Sequence, residues 1–143
     1  MGALSLSVLR TTLHTLPRTL VVPQETDRIH AAVALVLRKR PGVPVELLLI
    51  KRAEHPRDPW SGHMALPGGR TASPEVERIR WVTLEALAAP DTLDEIRIDI
   101  RGEPRRFPGY RFGDDVVWGL TYRILTDFLD RLRSSPGDPP PAL

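Results

Sequence analysis

The side chains best suited to chemistry are concentrated between positions 52 and 70, in the segment RAEHPRDPWSGHMALPGGR. The candidate ligand-binding residues in it are Arg52, His55, Arg57, Trp60, His63, Gly68, Gly69 and Arg70. Guanidinium groups bind phosphate oxygens through paired hydrogen bonds, and glycines that follow a strand let backbone N–H groups approach an anion. The segment therefore predicts a site for a phosphorylated ligand, and a structured turn with solvated charges is the alternative interpretation.

Metal binding by the same segment is a weaker interpretation. Asp58 lies between His55 and His63, but the separation of the two histidines matches neither a helical turn nor a standard metal-ligand spacing. The chain also has no cysteine, which excludes a thiolate nucleophile, a disulfide framework and a cysteine-based zinc site. We therefore expect these histidines not to ligate a metal ion.

Short strands must position this segment. Strands are predicted over residues 30–39, 45–52, 63–66, 76–82 and 95–101. The first contains a continuous apolar run at 31–37, which is typical of a buried strand, and the last alternates isoleucines with charged residues. A Pro-Gly-Val-Pro turn at 41–44 joins the first two strands into a β-hairpin. Residues 102–113, rich in proline and glycine, are predicted to be a connection.

Two helices complete the predicted fold. A short one, of one or two turns, carries Leu84, Leu87 and Ala88, is N-capped by Thr83 and is stopped by Pro90. A longer one covers residues 116–133 and is capped by Asp114 or Asp115. The expected buried residues of the longer helix are Val117, Leu120, Ile124, Phe128 and Leu132, together with Trp118 and Tyr122. The elements add up to one α+β domain with a mostly antiparallel or mixed sheet.

Composition excludes several classes of protein. With 143 residues, 41% hydrophobic and 27% charged, the chain has the profile of one globular domain. Its longest apolar runs, at 31–37 and 47–50, fall far short of the ~20 residues that span a bilayer. The net charge is +2, and acids alternate with bases as in 94–101, so no basic run suits a nucleic acid. We expect neither membrane insertion nor nucleic-acid binding.

The two ends differ from the middle. Residues 1–27 are predicted to form an N-terminal helix or leader, because 1–24 contain no acid and place leucines at helical spacing. A helix docked on a cytoplasmic protein is the favoured interpretation, and a transit peptide to an organellar matrix is the alternative. Residues 134–143, with many prolines and glycines, are predicted to be a disordered tail.

Three segments in order carry a family resemblance. They are residues 48–70, which end in LPGGR; EVERIRWVTLEAL at 75–87; and FPGYRFGDDVVWGLTYRIL at 107–125. Together they resemble the Nudix hydrolases, and the coenzyme A pyrophosphatase branch most closely. The resemblance implies an α/β/α sandwich with a mixed sheet over residues 28–133. It also implies hydrolysis of a nucleoside diphosphate linked to another moiety, with Mg²⁺ or Mn²⁺ as cofactor.

The chain departs from the family at its catalytic box, G-x5-E-x7-R-E-U-x-E-E-x-G-U, where U is a bulky aliphatic residue. Gly69 and Glu75 match its first two positions, which makes them candidate metal ligands and Glu75 the candidate catalytic residue. Thr83 and Leu84 occupy the Arg-Glu positions, and the chain contains no Glu-Glu pair. The simplest account is an internal deletion near 70–74 that removes the catalytic helix and the middle strands.

Three functions follow from this departure. The chain is a Nudix-like pyrophosphatase with impaired catalysis, a non-catalytic module that binds a nucleotide or coenzyme A, or a structural remnant of such an enzyme. The expected partner is a small nucleotide or coenzyme A derivative. The sequence also allows a homodimer. Loss of the acidic helix is expected to weaken Mg²⁺ or Mn²⁺ binding.

Overall fold

The computed structural model describes residues 9–11, 32–58, 60–69 and 76–134, and these form an α+β protein as the sequence predicts. Their strands are β1 (Ala32–Val33), β2 (Leu37–Arg38), β3 (Glu46–Arg52), β4 (Met64–Ala65), β5 (Gly68–Gly69), β6 (Val76–Thr83), β7 (Leu93–Ile100), β8 (Glu103–Phe112) and β9 (Asp115–Trp118). Their helices are α1 (Leu84–Ala88) and α2 (Gly119–Arg133), with a 3-10 turn at Pro90–Thr92. No helix in this part of the chain is long and apolar enough to span a membrane.

The strand β3 is the centre of the larger sheet. β6 pairs along its full length on one edge, while β2 and β4 share the other edge. β7, β8 and β9 form a three-stranded meander, and β1 pairs with β5. Every strand pair among the described residues is antiparallel, so the mostly antiparallel arrangement is confirmed for them and the mixed alternative is not seen there.

The main core lies on one side of the sheet centred on β3. Leu47 and Leu49 are fully buried together, because alternate side chains of a strand face the same side. They belong to one cluster with Val45, Met64, Leu66, Val82, Leu84, Leu87, Tyr110 and Val117, and with Leu125, Phe128, Leu129 and Leu132 of α2. A smaller cluster forms in the meander around Ile96, Ile98 and Trp118. The helix α2 thus covers one face of the larger sheet.

Local sequence signals predict several of these elements correctly. The β-hairpin around residues 41–44 is confirmed, with Leu37 opposite Leu47. The cap of α1 is also confirmed, since the Thr83 hydroxyl accepts a hydrogen bond of 3.1 Å from the Ala86 N–H. These features depend only on neighbours in sequence, which is why the pattern suffices.

The predicted buried strand over residues 30–39 is wrong as a single element. The chain forms two short strands there, because β1 pairs with β5 while β2 pairs with β3. Val33 in β1 and Leu35 and Val36 between the two strands are exposed rather than buried. A continuous apolar run therefore marks a change of strand partner here and not a core strand.

The long helix begins later than predicted. Val116 and Val117 pair with β8 as part of the strand β9, and α2 starts at Gly119. Valine is β-branched and suits a strand better than a helix terminus, whereas the predicted cap Asp115 is buried in an ion cluster. Leu120, predicted to be buried, is 70% exposed, because as the second residue of α2 it lies at the open cleft rather than on the core.

Residues 102–113 are predicted to be a connection, and this is a third correction, because most of them form the strand β8. Pro104 and Pro108 signal a turn in the sequence, yet both lie inside the strand. They are tolerated because β9 pairs with β8 only from Gly109 to Phe112, so the prolines have a single neighbouring strand, β7. Proline fits a strand where its missing N–H is not needed.

The chain ends are described only in part. Leu9 lies in the helical residues 9–11 and is buried in the main core, as a docked N-terminal helix would have it. The other residues of 1–27 lie outside the described residues, as do 135–143. The choice between a docked helix and a transit peptide, and the disordered tail, stay predictions.

Two buried carboxylates are each held by two arginines. Glu46 accepts hydrogen bonds from Arg38 at 2.8 Å and from Arg40 at 2.9 Å. Asp115, only 2% exposed, is bound by Arg78 and, at 2.7 Å, by Arg80. Arg78 and Arg80 belong to β6 and Asp115 to β9, so this cluster joins the two larger sheets. Burying a carboxylate is unfavourable unless it is paired in this way.

We expect Phe128→Ala to lower the free energy of unfolding by about 3–5 kcal/mol, because truncation of a buried aromatic side chain leaves a cavity in the core. Urea denaturation followed by circular dichroism measures this change. Leu120→Ala on the exposed side of the same helix is the control and should leave the unfolding midpoint unchanged. An unaltered midpoint for Phe128→Ala would contradict the placement of α2 on the core.

We expect the stability of the protein to fall between pH 4.5 and pH 2 through Glu46. Hydrogen bonds from Arg38 and Arg40 lower the pKa of Glu46 from 4.5 to about 2. The unfolded chain then binds the proton first, so the stabilisation is complete above pH 4.5 and is lost as the pH falls through about 2. Urea denaturation of Glu46→Gln across this range should show a flatter decline, and Glu103→Gln at an exposed site should not.

Candidate ligand-binding cleft

A cleft of about 570 Å³ lies between the β3–β4 loop, the tip of the meander and the start of α2. The loop and its strands contribute Arg52, Trp60, His63, Met64 and Ala65. The meander contributes Ile100 and Phe107, and the β9–α2 junction contributes Trp118, Gly119, Leu120 and Thr121. We call this the aromatic cleft. Arg52 is the one formally charged residue among these lining residues.

The β3–β4 loop is closed by its own hydrogen bonds. The backbone N–H of Arg52 donates to the His63 carbonyl at 3.1 Å, and that of Gly62 donates to the Arg52 carbonyl at 3.0 Å. The positive φ of 72° at Gly62 suits glycine and completes the turn. Both ends of the loop are therefore fixed by β3 and β4, which holds Arg52 and His63 at the mouth of the cleft.

Asp58 organises the inside of this loop. Its carboxylate forms an ion pair with Arg52 and accepts a hydrogen bond of 2.9 Å from the Trp60 N–H. The Arg52 guanidinium also donates to the Trp60 carbonyl at 3.2 Å, and the Ser61 hydroxyl donates to the Asp58 carbonyl at 2.7 Å. The same ion pair that orients Arg52 thus also holds the backbone of Trp60.

Three aromatic rings meet at the cleft. The ring of Trp118 lies 5.1 Å from that of Trp60 and 5.0 Å from that of Phe107, both in tilted arrangements. His63 meets the same indole edge-on at 5.5 Å. Trp118 is buried, whereas Trp60 is 48% exposed and forms the open wall. These separations are in the range of favourable aromatic contacts.

The position of Trp118 depends on a close approach of two strands. Trp118 is opposite Gly109 in the pairing of β8 and β9, and a Cβ at residue 109 would overlap the Val117 carbonyl and the Ile96 side chain. Only glycine leaves room for the two strands and the meander core to approach this closely. Because residue 109 has no side chain, Trp118 packs closely against the meander.

His63 is half-buried and carries a buried Nδ1 atom that has no hydrogen-bond partner. Burial lowers the pKa of His63, outweighing the opposite effect of the Trp60 backbone. Burial therefore favours the neutral imidazole, which suits packing on the indole of Trp118. Its unpartnered nitrogen is the kind of group that a bound polar ligand or water satisfies.

The aromatic cleft brings together three of the residues predicted to bind a ligand, namely Arg52, Trp60 and His63. His55 and Arg57 belong to the same loop but are exposed outside the lining, where the Nδ1 of His55 accepts a hydrogen bond from the Arg57 backbone. The predicted cluster is therefore divided between the cleft and the outer face of the loop.

The remaining predicted residues are placed elsewhere or lie outside the described part of the chain. Gly68 and Gly69 form β5 and pair with β1, and a Cβ at Gly68 would overlap the Ala32 carbonyl. Gly68 thus permits the close pairing of β5 with β1, and neither glycine lines the cleft, so their expected role beside an anion stays a prediction. Arg70 and Glu75 are outside the described residues.

The sequence did not predict the wall of the cleft that Phe107, Trp118 and Thr121 form. Trp118 was predicted to be core, and it is buried as expected, but one side of its ring also faces Trp60. Phe107 and Thr121 were not singled out at all. The available signal in the sequence was the glycine directly after Trp118. This residue, Gly119, begins α2, and its positive φ of 62° turns the chain at the wall.

No group of three or more histidine and acidic side chains gathers within the part of the chain that the structure describes. Glu77, the acidic residue nearest in sequence to Glu75, forms an ion pair with Lys51 at 3.6 Å. A hard divalent cation needs several oxygen ligands. The described residues therefore do not fit a Mg²⁺ or Mn²⁺ centre.

Comparison with known proteins adds little about function. No protein-family model matches the chain. The chain is similar to the Uncharacterized protein C14C4.10c of Schizosaccharomyces pombe (strain 972 / ATCC 24843), with 41% identity over 63 residues. The matched stretch is 44% of this chain and 17% of that protein. The likeness spans about a sixth of the relative, so it assigns no activity to this chain.

Proposed function

We propose that this chain is a Nudix-related domain that binds a coenzyme A or nucleoside diphosphate derivative in the aromatic cleft, with hydrolysis impaired. The observation that carries the proposal is the convergence of Trp60, Phe107 and Trp118 beside the Arg52 guanidinium. Such ligands join a planar base to phosphates, so they need an apolar stacking surface next to a cation. The aromatic cleft offers both.

The base is assigned to the aromatic wall. A volume of about 570 Å³ is typical of small-molecule sites, and the lining is mainly apolar with a few polar groups. Trp60 presents an exposed ring, and stacking of a base on an aromatic side chain contributes about 1–3 kcal/mol. Thr121 and His63 supply polar groups among the residues that line the cleft.

The phosphates are assigned to Arg52. Of the five N–H donors of a guanidinium, the loop uses one for the Trp60 carbonyl and one for Asp58. The others are the donors that we assign to phosphate oxygens. Because Asp58 already fixes the guanidinium, little conformational freedom is lost when an anion binds.

The donor set argues for binding rather than hydrolysis. Hydrolysis of a diphosphate by the Nudix mechanism requires a divalent cation that neutralises the phosphates and activates water. The described acidic residues do not gather into such a site, as Glu77 is paired with Lys51. An arginine neutralises charge but does not generate the nucleophile. Binding without efficient turnover is therefore the function that these residues support best.

The two faces of the larger sheet differ in how they are covered. The helix α2 covers one face of the larger sheet, where Leu47 and Leu49 are buried, while on the opposite face Leu48 and Ile50 are only half-buried. We interpret this as an α/β/α sandwich that has lost one helical layer through an internal deletion near residues 70–74. The alternative, a structural remnant, differs from this proposal in ligand binding, since a remnant binds neither coenzyme A nor a nucleoside diphosphate derivative.

We expect coenzyme A and ADP-ribose to raise the melting temperature of the protein, because a ligand that binds only the native state stabilises it. Isothermal titration calorimetry should show that Trp60→Ala weakens binding by about 1–3 kcal/mol through loss of stacking. Trp60 is exposed, so the melting temperature without ligand should stay the same. Absence of any ligand-induced shift in a cooperatively melting protein would favour the remnant.

Arg52 and Arg57 form a matched pair for the same titration. Arg52→Ala is expected to weaken nucleotide binding by about 1–3 kcal/mol, the scale of a charge-assisted hydrogen bond, and Arg57→Ala to weaken it less. From the sequence alone, Arg57 is also expected to bind the anion. A larger loss in Arg57→Ala would place the phosphates on the outer face of the loop and contradict the cleft.

We expect hydrolysis of coenzyme A and ADP-ribose with Mg²⁺ or Mn²⁺ to stay near the uncatalysed background, because the described residues lack a metal site. Chromatography of the nucleotide products measures it. Glu75→Gln is the control for the candidate catalytic residue. Rapid turnover that disappears in Glu75→Gln would restore the hydrolase interpretation and overturn ours.

A further inference from the structure

Within the described part of the chain, the strand β6 is paired on one edge only. It pairs with β3 from Val76 to Thr83, and no strand pairs with its other edge among residues 9–11, 32–58, 60–69 and 76–134. An eight-residue strand in this position presents a row of unpaired N–H and C=O groups. Such an edge is a template for the backbone of another extended chain.

Side chains along this edge alternate in chemistry. Ile79 is 59% exposed on one face, and Arg78 and Arg80 are substantially exposed on the other, where they also hold Asp115. The three charged groups of this cluster sum to one net positive charge. A neighbouring antiparallel strand places its side chains directly opposite these, about 5 Å away between Cβ atoms. It would therefore need acidic residues on one face and aliphatic residues on the other.

A second copy of the chain does not meet this requirement. In a two-fold antiparallel pairing centred on Ile79, Arg78 lies opposite the Arg80 of the second copy. Pairings centred on Arg78 or Arg80 place that arginine opposite itself. Like charges directly opposite each other destabilise a strand pair. In these three registers the arginines thus oppose self-association, whereas the same edge suits a chain of opposite charge.

The geometry points to β6 as a docking edge for an extended peptide segment of another protein in which acidic and aliphatic residues alternate. Backbone hydrogen bonds to the free edge of β6 hold the segment. Its aliphatic side chains lie beside Ile79, and its carboxylates meet the guanidinium groups of Arg78 and Arg80. This site is separate from the aromatic cleft and does not depend on what the cleft binds.

The test uses the full chain and a labelled, acetylated and amidated octapeptide in which aspartate and valine alternate, with binding followed by fluorescence anisotropy. A peptide with lysine in place of aspartate should bind roughly tenfold more weakly or worse. Two further peptides carry N-methyl groups on either the aspartate or the valine amides. Alternate amides of an added strand point to opposite edges, so one methylated peptide should lose binding and the other should keep it.

Ile79→Asp should weaken binding of the aspartate-valine peptide roughly tenfold. Its melting temperature should match that of the parent chain because residue 79 is exposed, and Leu93→Asp at another exposed site is the matched control. Equal binding of both methylated peptides, equal binding of the lysine peptide, or no binding at millimolar peptide would each overturn the proposal. So would a dimer in light scattering that Ile79→Asp dissociates, since it would assign the edge to a second copy.

Discussion

The burial of Leu47 and Leu49 in β3 is the constraint on which the other elements depend. Side chains alternate along a strand, so a slip of one residue in β3 would turn both leucines into solvent and bring Leu48 and Ile50 into the core. That requirement fixes the register of β6 on one edge and of β2 and β4 on the other. Because β3 and β4 are fixed, the loop between them is anchored at both ends. The aromatic cleft is therefore a consequence of core packing some distance away.

Electrostatics adds a second level of organisation. The two buried carboxylates, Glu46 and Asp115, each sit between a pair of arginines from a neighbouring strand or turn. Removal of one arginine leaves the other partner, whereas removal of both leaves a buried charge without compensation, which costs far more. Asp115 is of special importance because it links β6 to β9. Arg52 and Asp58 form a similar ion pair nearer the surface, at the β3–β4 loop.

Elements set by near neighbours could be predicted from the sequence, and those set by distant ones could not. The Thr83 cap of α1 and the alternation of Ile96 and Ile98 in β7 are local signals, and both are confirmed. The strand β8 was missed because its prolines are tolerated only through the short length of β9. That information is not present near Pro104 or Pro108.

The candidate site follows the same division. Arg52, Trp60 and His63 were identified because they cluster in one segment, and the structure brings all three to the cleft. Trp118 was assigned to the core because burial on an amphipathic helix is the usual role of such a residue. Its second role, as a wall of the cleft, depends on Trp60 in the β3–β4 loop, which is far away in sequence. No local pattern reveals that contact. Gly68 shows a role that the sequence does not reveal, since the absence of a side chain there permits the close pairing of β5 with β1.

The pairing of Trp60 with Trp118 has an optical consequence. The chain contains three tryptophans, and two of them stand 5.1 Å apart at the cleft, while the third, Trp81, is stacked under the Arg38 guanidinium on the larger sheet. Indoles at such a separation couple electronically, so their near-ultraviolet circular dichroism depends on their mutual angle. The protein thus carries a built-in reporter of the geometry of its own cleft, readable without any attached dye.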